Sequence, residues 1–275
     1  MARLPNFFLA GFQKCATTWL HHCLQEHPAV FVPPVHGIYF FDINYHKGID
    51  WYRRFYEDQE SELVVGDTTV AYARLPWVAS RIAEFNPDAK IILCMRNPIE
   101  RAYSHYWHEK RSGRISYDFG EVLTNIDVFQ DWVVTGFYAR HIEPFLKHFE
   151  AERILYVLND DVERRPDETL EGLYGFLDVE SGFRPRILTE RVNRAWSRAV
   201  PFGARIPKRG LRARVWWRWG APARPPGGAP SEYAGGMPEE IFDELVKIFR
   251  PEVRRLSDLL ERDLGSWLEP GGRGA

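Results

Sequence analysis

Two stretches of the chain carry the residue types that hold phosphate. In the first, Lys14 precedes the paired hydroxyls Thr17 and Thr18, with Cys15, Ala16 and Trp19 filling the turn and helix start. An ammonium and two hydroxyls there add donors to backbone N–H groups that already point outward, and the helix dipole favours an anion at that end. In the second, Arg96 stands ahead of Asn97-Pro98, and Ser104 follows two helical turns beyond Asn97. A guanidinium and a hydroxyl so placed can grip one phosphate from two sides, and arginine supplies the forked donor geometry that phosphate favours. Two further residues can move a proton. His36 has an intrinsic pKa near working pH, and Asp67 follows a strand, where polar residues face the ligand crevice of an open α/β sheet. A neutral structural histidine and a helix-cap or turn carboxylate remain open for these two.

The elements that must position these groups are legible in the apolar pattern. Phe7 to Ala10 reads as a buried strand, and from Thr17 a helix carries Trp19, Leu20, Cys23 and Leu24 on one face until Pro28 ends it. Phe31 to Asp42 reads as a short extended segment broken by prolines, and Tyr45 to Phe55 as one helix. Leu63 to Gly66, Lys90 to Met95 and Ile154 to Leu158 are further strands. Asn97 and Pro98 are an N-cap and a first helical residue, so the helix carrying Ser104 has a well-signalled start. Another helix opens at Gly136-Phe137-Tyr138, and Asp160-Asp161 precede one from about Pro166 to Leu177, where they read as caps rather than metal ligands. His105, His108, His141 and His148 lack the carboxylate or cysteine spacing of a metal site. Strands alternating with helices predict an α/β fold, a parallel sheet flanked by helices. Because Lys14 precedes the threonines instead of following a second glycine, the pattern is not the Walker form G-x-x-x-x-G-K-[ST], which counts against a P-loop kinase.

Gly11-Phe-Gln-Lys14-Cys-Ala-Thr17-Thr18-Trp-Leu resembles the 5′-phosphosulfate loop of sulfotransferases, commonly G-x-x-K-x-G-T-T-x-L. Arg96-Asn97-Pro98-Ile99-Glu100-Arg101-Ala102-Tyr103-Ser104-His105-Tyr106 is similar to their 3′-phosphate motif, R-N-P-x-x-R-x-x-S-x-Y. The resemblance, closest to heparan-type and related bacterial members, extends over about residues 5–195 and 238–270 and is specific in these two motifs. It implies a P-loop-like sheet and transfer of a sulfuryl group from 3′-phosphoadenosine-5′-phosphosulfate to a hydroxyl or amine of a small-molecule, glycan or lipid-linked acceptor. Lys14, Cys15, Ala16, Thr17, Thr18 and Trp19 would then surround the 5′-phosphosulfate, and Arg96 and Ser104 the 3′-phosphate. No metal is called for, since Lys14 takes the charge-neutralising part that a cation plays in phosphoryl transfer. Two positions depart from the family. Ala16 stands where glycine is usual, at a cost of about 1 kcal/mol if that residue needs positive φ. His36-Gly37 stands where P-P-x-K-E-x-x-F-F has its Lys-Glu pair, so the expected acceptor base is missing; His36, with Asp67 as runner-up, is the replacement.

Composition bounds the rest. The chain has 275 residues, 45% of them hydrophobic and 27% charged, as in an ordinary globular protein, and one domain spanning 1–275 is expected. No apolar run approaches a membrane span of roughly 18 residues. The N-terminus enters the first strand without room for a signal peptide, and Cys15, Cys23 and Cys94 fit no disulfide framework, so a cytoplasmic home is expected. Residues 191–224 hold ten Lys/Arg and no acid, with Trp216, Trp217 and Trp219 interleaved, ahead of a Pro/Gly-rich stretch. We read 191–236 as a basic C-terminal flap within the domain. It either packs its tryptophans on the core, closes over the donor and an anionic acceptor, or touches an anionic membrane through 205–219; nucleic acid is not an expected partner. A non-catalytic nucleotide-binding or membrane-adaptor protein is the remaining alternative.

Overall fold

A computed structural model describes residues 2–188 and 236–271. Its strands are β1 (Phe7–Gly11), β2 (Val30–Phe31), β3 (Val64–Asp67), β4 (Lys90–Met95) and β5 (Ile154–Leu158), all parallel in the order β2-β3-β1-β4-β5. β1 and β4 are continuous apolar runs because helices cover both faces of the sheet. β1 is fully buried and only Lys90 of β4 is even partly exposed. The chain crosses from β3 over β1 to β4, so strand order switches direction at β1. The crevice beyond the carboxyl ends of β1 and β4 is where open α/β sheets place ligands.

Helix α1 (Thr17–Glu26) follows β1, α3 (Pro76–Phe85) follows β3, and α4 (Pro98–Arg111) follows β4, with the five-residue α2 (Ile49–Arg53) between β2 and β3. A short α5 (Ile126–Val128) leads into a π-helical turn, Phe129–Val133, and then α6 (Tyr138–Leu146). After β5 come α7 (Asn159–Arg164), α8 (Pro166–Phe176) and a long C-terminal helix, Glu239–Leu260. The core is one cluster running from Phe7 to Trp267.

Three sequence expectations change. The helix expected over Tyr45 to Phe55 is broken at Gly48, whose φ of 74° lies outside the helical region, leaving a 3₁₀ turn, α2 and a second 3₁₀ turn. Of the proline-broken segment Phe31 to Asp42, only Phe31 pairs in a strand, as the second residue of β2. Asp160 and Asp161 lie inside α7 rather than capping the next helix: Asp160 accepts from the Trp267 indole at 2.9 Å, and Asp161 pairs with Arg165 and Arg262. They tie the C-terminal segment to the end of β5. The basic flap at 191–235, with the membrane contact read at 205–219, lies outside the described residues. Among the described residues, no helix is long and apolar enough to cross a membrane.

Candidate active site

The loop from β1 to α1 carries the first motif. Lys14 and Ala16 both have positive φ, 68° and 60°. The open question at position 16 is thereby answered: the backbone is left-handed there, and alanine occupies it under strain. Ala16 is also the N-cap of α1 and offers no side-chain acceptor to the first helical N–H groups. Those groups, with the exposed Thr18 hydroxyl, are donors for an anion. Thr17 is buried, as are the side chains of Cys15 and Trp19. Burial pushes the Cys15 thiol up to about 11 against the nearby Arg101, Arg96 and Lys14 charges. The low thiol pKa that a helix N-terminus can confer does not arise here.

Burial lowers the Lys14 ammonium to about 8; Glu109 opposes that shift, while Arg96, Arg101 and Arg111 reinforce it. Lys14 and Arg96, 82 positions apart in sequence, thus share one cationic cluster at the ends of adjacent strands. Arg96 follows β4 directly and sends Nε and Nη2 to a single oxygen of Glu100, at 3.1 and 2.8 Å. Glu100 and Ser104 lie one turn apart on α4 and share a face, so the guanidinium rests on the stripe that carries the half-buried Ser104 hydroxyl. As the sequence pattern predicts, Asn97 caps α4, its oxygen accepting from the N–H groups of Ile99 and Glu100, with Pro98 at the first turn.

Asp67 is fully buried at the end of β3. Its Oδ1 accepts from the Thr69 N–H and hydroxyl at 3.0 and 2.6 Å, and its Oδ2 from the hydroxyls of Tyr52 and Tyr72 at 2.7 and 3.1 Å. Burial raises its pKa while these bonds lower it. With both oxygens engaged, it is not placed to take an acceptor's proton, which removes the direct-base half of its expected role. It positions instead: the Thr69 hydroxyl accepts from the N–H groups of Ile38 and Tyr39, and the Tyr72 hydroxyl from those of Phe40 and Phe41. The segment beginning at His36 is hung on this carboxylate through two hydroxyls.

His36 has its ring 4.8 Å from that of His21, whose Nδ1 lies 2.8 Å from the Thr68 hydroxyl. Its Nε2 is buried without a hydrogen-bond partner among the described residues. Burial lowers its pKa to about 4, with His22 reinforcing the shift, so the imidazole is neutral at working pH. Gly37 has φ of 99°, and a side chain there would meet the Tyr39 ring at 2.8 Å. A glutamate at the position where the family pattern has one would therefore strain the backbone and displace the Tyr39 ring.

Sequence reasoning missed Tyr138 and Arg101. Tyr138 is buried, with its hydroxyl 2.8 Å from the Arg96 carbonyl and 3.7 Å from Cys15 Sγ. Arg101 is buried beside Lys14, donates to the Trp132 carbonyl, and leaves Nε and Nη1 unpartnered among the described residues. Arg101 stood in the second motif and was the available signal; Tyr138 gave only a helix start. Among the described residues no group of three His, Cys, Asp or Glu side chains is placed to hold a metal ion.

A left-handed loop after the first strand, an uncapped helix start and a cationic cluster at a switch point give an α/β protein a site whose donors suit phosphate groups. The chain belongs to the sulfotransferase family: residues 4–199 match the sulfotransferase domain. It is similar to the human bifunctional heparan sulfate N-deacetylase/N-sulfotransferase 2, at 32% identity over 64% of this chain and 22% of that protein. The mouse heparan sulfate glucosamine 3-O-sulfotransferase 3B1 is 30% identical over 69% of this chain and 48% of its own length. The chain thus spans less than half the length of these two relatives. A sulfotransferase structure from Alicyclobacillus acidocaldarius superposes with a TM-score of 0.74 at 25% identity, covering 96% of this chain and 99% of the other.

Proposed function

We propose that the chain transfers a sulfuryl group from 3′-phosphoadenosine-5′-phosphosulfate to a hydroxyl or amine. The observation that carries this reading is the convergence of Lys14, the uncapped start of α1 and Arg96 at the ends of the neighbouring strands β1 and β4. The donor supplies the activated sulfuryl group, whose bond to the 5′-phosphate oxygen breaks as the bond to the acceptor forms. Lys14 and the N–H groups at Thr17-Thr18 hold the 5′ end and neutralise charge that grows on the departing oxygen. Arg96 and Ser104 hold the 3′-phosphate. His36 takes the acceptor's proton on its unpartnered Nε2, and Asp67, through Thr69 and Tyr72, keeps the His36–Phe41 segment in place. The glycan substrates in the names of the two mammalian relatives support a sugar hydroxyl or amine as acceptor, with small-molecule and lipid-linked acceptors the other members of the class. The three free, buried cysteines support a reducing compartment such as the cytoplasm.

Intact mass spectrometry of candidate acceptors incubated with protein and donor tests the reading. The expected product carries one added sulfuryl group, with adenosine 3′,5′-bisphosphate released in equal amount. Tight binding of the bisphosphate with no sulfated product from any glycan, phenol or amine would favour a nucleotide-binding protein instead.

A further inference from the structure

Outside the groups already given roles, the side chain with the most specific placement is Tyr138. It is the first residue of α6 and has no exposed surface. Its hydroxyl donates to the Arg96 carbonyl at 2.8 Å and accepts from the Arg96 N–H at 3.4 Å. The same oxygen lies 3.7 Å from Cys15 Sγ. Burial keeps that thiol protonated, and its single proton can go to the Gln13 carbonyl at 3.6 Å or to the phenol oxygen, so the phenol has three neighbouring partners. Two belong to the residue that opens the 3′-phosphate motif, and the third to the 5′ loop. The Tyr138 ring packs on Phe12 of that loop, with centroids 4.8 Å apart.

The aim of the side chain is set from outside the donor site. The buried Glu252 carboxylate, on the C-terminal helix, accepts from the Ala139 N–H at 2.6 Å and so holds the first turn of α6. Phe12 N–H donates to the Cys94 carbonyl at 2.8 Å, the last main-chain tie between the loop and β4. Beyond it, Lys14 and Ala16 adopt left-handed backbone and Arg96 leaves the strand. The Tyr138 hydroxyl is the described side-chain group that touches both motifs past that point.

We propose that Tyr138 is a positioning residue that fixes the separation of the 5′ and 3′ phosphate sites, so that a ligand with both phosphates engages them together. This inference rests on the donor reading above. Two phosphates on one nucleoside gain from simultaneous engagement only when the sites are held at the ligand's own spacing. Loosening that spacing weakens a bisphosphate and leaves ligands with a single phosphate nearly untouched.

The test is isothermal titration of the wild-type protein and Tyr138→Phe with adenosine 3′,5′-bisphosphate, adenosine 5′-phosphate and adenosine 3′-phosphate. Phenylalanine keeps the ring on Phe12 and removes only the hydroxyl. The expected result is about a tenfold loss for the bisphosphate with both monophosphates within about twofold of wild type. Cys15→Ala, which removes the tie on the 5′ side alone, should show the same selectivity with a smaller loss, and it serves if Tyr138→Phe folds poorly. Equal losses for all three ligands, or none, in the variant that folds would overturn the proposal. A wild-type protein that binds the bisphosphate no tighter than either monophosphate would refute the two-phosphate site itself, and the inference with it.

Discussion

Ala16→Gly should stabilise the protein, against the usual effect of putting glycine inside a helix. Ala16 sits at φ 60° and ψ 10°, where an L-residue with a Cβ carries about 1–2 kcal/mol of strain. Glycine removes that strain but makes the unfolded chain freer, at a cost of about 0.5–1 kcal/mol. The difference is a net gain of about 0.5–1 kcal/mol, which for a chain of this length raises Tm by about 1–3 °C. Loop shape and N–H directions are unchanged, so affinity for adenosine 3′,5′-bisphosphate should stay within about twofold. Ala83, in the last turn of α3, provides the contrast: with ordinary helical backbone, Ala83→Gly should lose up to about 1 kcal/mol. Calorimetric unfolding of both variants, with titration of the bisphosphate, separates the outcomes. If Ala16→Gly destabilises as much as Ala83→Gly, position 16 is not strained and the left-handed loop is wrong.

Lys14→Ala should cost about 3 kcal/mol in the transition state, near a hundredfold in turnover, with a smaller loss in bisphosphate affinity; unchanged turnover would remove Lys14 from the reaction. Because burial holds Lys14 near 8 in the free protein and a bound anion favours its charged form, bisphosphate affinity should fall as pH rises above about 8. Titrations between pH 7 and 9.5 in wild type and Lys14→Ala check this, and the slope should vanish in the variant. His36→Ala should lose roughly 10²- to 10⁴-fold in turnover with donor affinity within a few-fold. The acid limb that it removes should lie near pH 4 rather than 6.5, since His36 is lowered to about 4. The buried His21 and His105 are lowered by desolvation to about 2 and 3, so the unfolded chain binds protons that the folded one does not. Stability should therefore be complete above about pH 6.5 and fall progressively toward pH 4, at about 1.4 kcal/mol per pH unit for each such group. Urea unfolding between pH 4 and 8 measures it, and a flat profile would show that these histidines are not buried neutral.

The sheet was legible because its strands are the apolar runs of a doubly covered parallel sheet: Lys90–Met95 and Ile154–Leu158 have the boundaries that the sequence pattern marks. Both phosphate motifs were legible because their groups are local, within eight residues of one another and attached to strand ends and helix starts. The acceptor side was not. Nothing local distinguishes a free carboxylate at Asp67 from one engaged by Tyr52, Thr69 and Tyr72, since two of those partners lie in other elements. The broken helix at 45–56 turns on the backbone angle of Gly48, which a helical pattern of aromatics conceals. Asp160 and Asp161 read as caps because their true partners, Trp267 and Arg262, lie over a hundred residues away.

On the proposed donor reading the second motif would do more than hold a 3′-phosphate, and Arg101 is the reason. Arg96, just ahead of α4, pairs with Glu100, one turn before Ser104, whereas Arg101 lies close to Lys14, Cys15 and Tyr138. It is fully buried, and burial lowers its pKa. Leaving Nε and Nη1 of a buried guanidinium unpartnered is costly for folding, and a nearby charge of the same sign on Lys14 adds to that cost. Positive charge held under the loop nevertheless strengthens the attraction of the whole cradle for an anion, in a place where water screens little. On the proposed donor reading, the start of α4 would serve both ends of the nucleotide, with Ser104 toward the 3′ side and Arg101 beneath the loop on the 5′ side. The placement of Arg96 ahead of α4, and of Arg101 and Ser104 on it, fits that division, and Tyr138, touching Arg96 and Cys15 together, closes the same link.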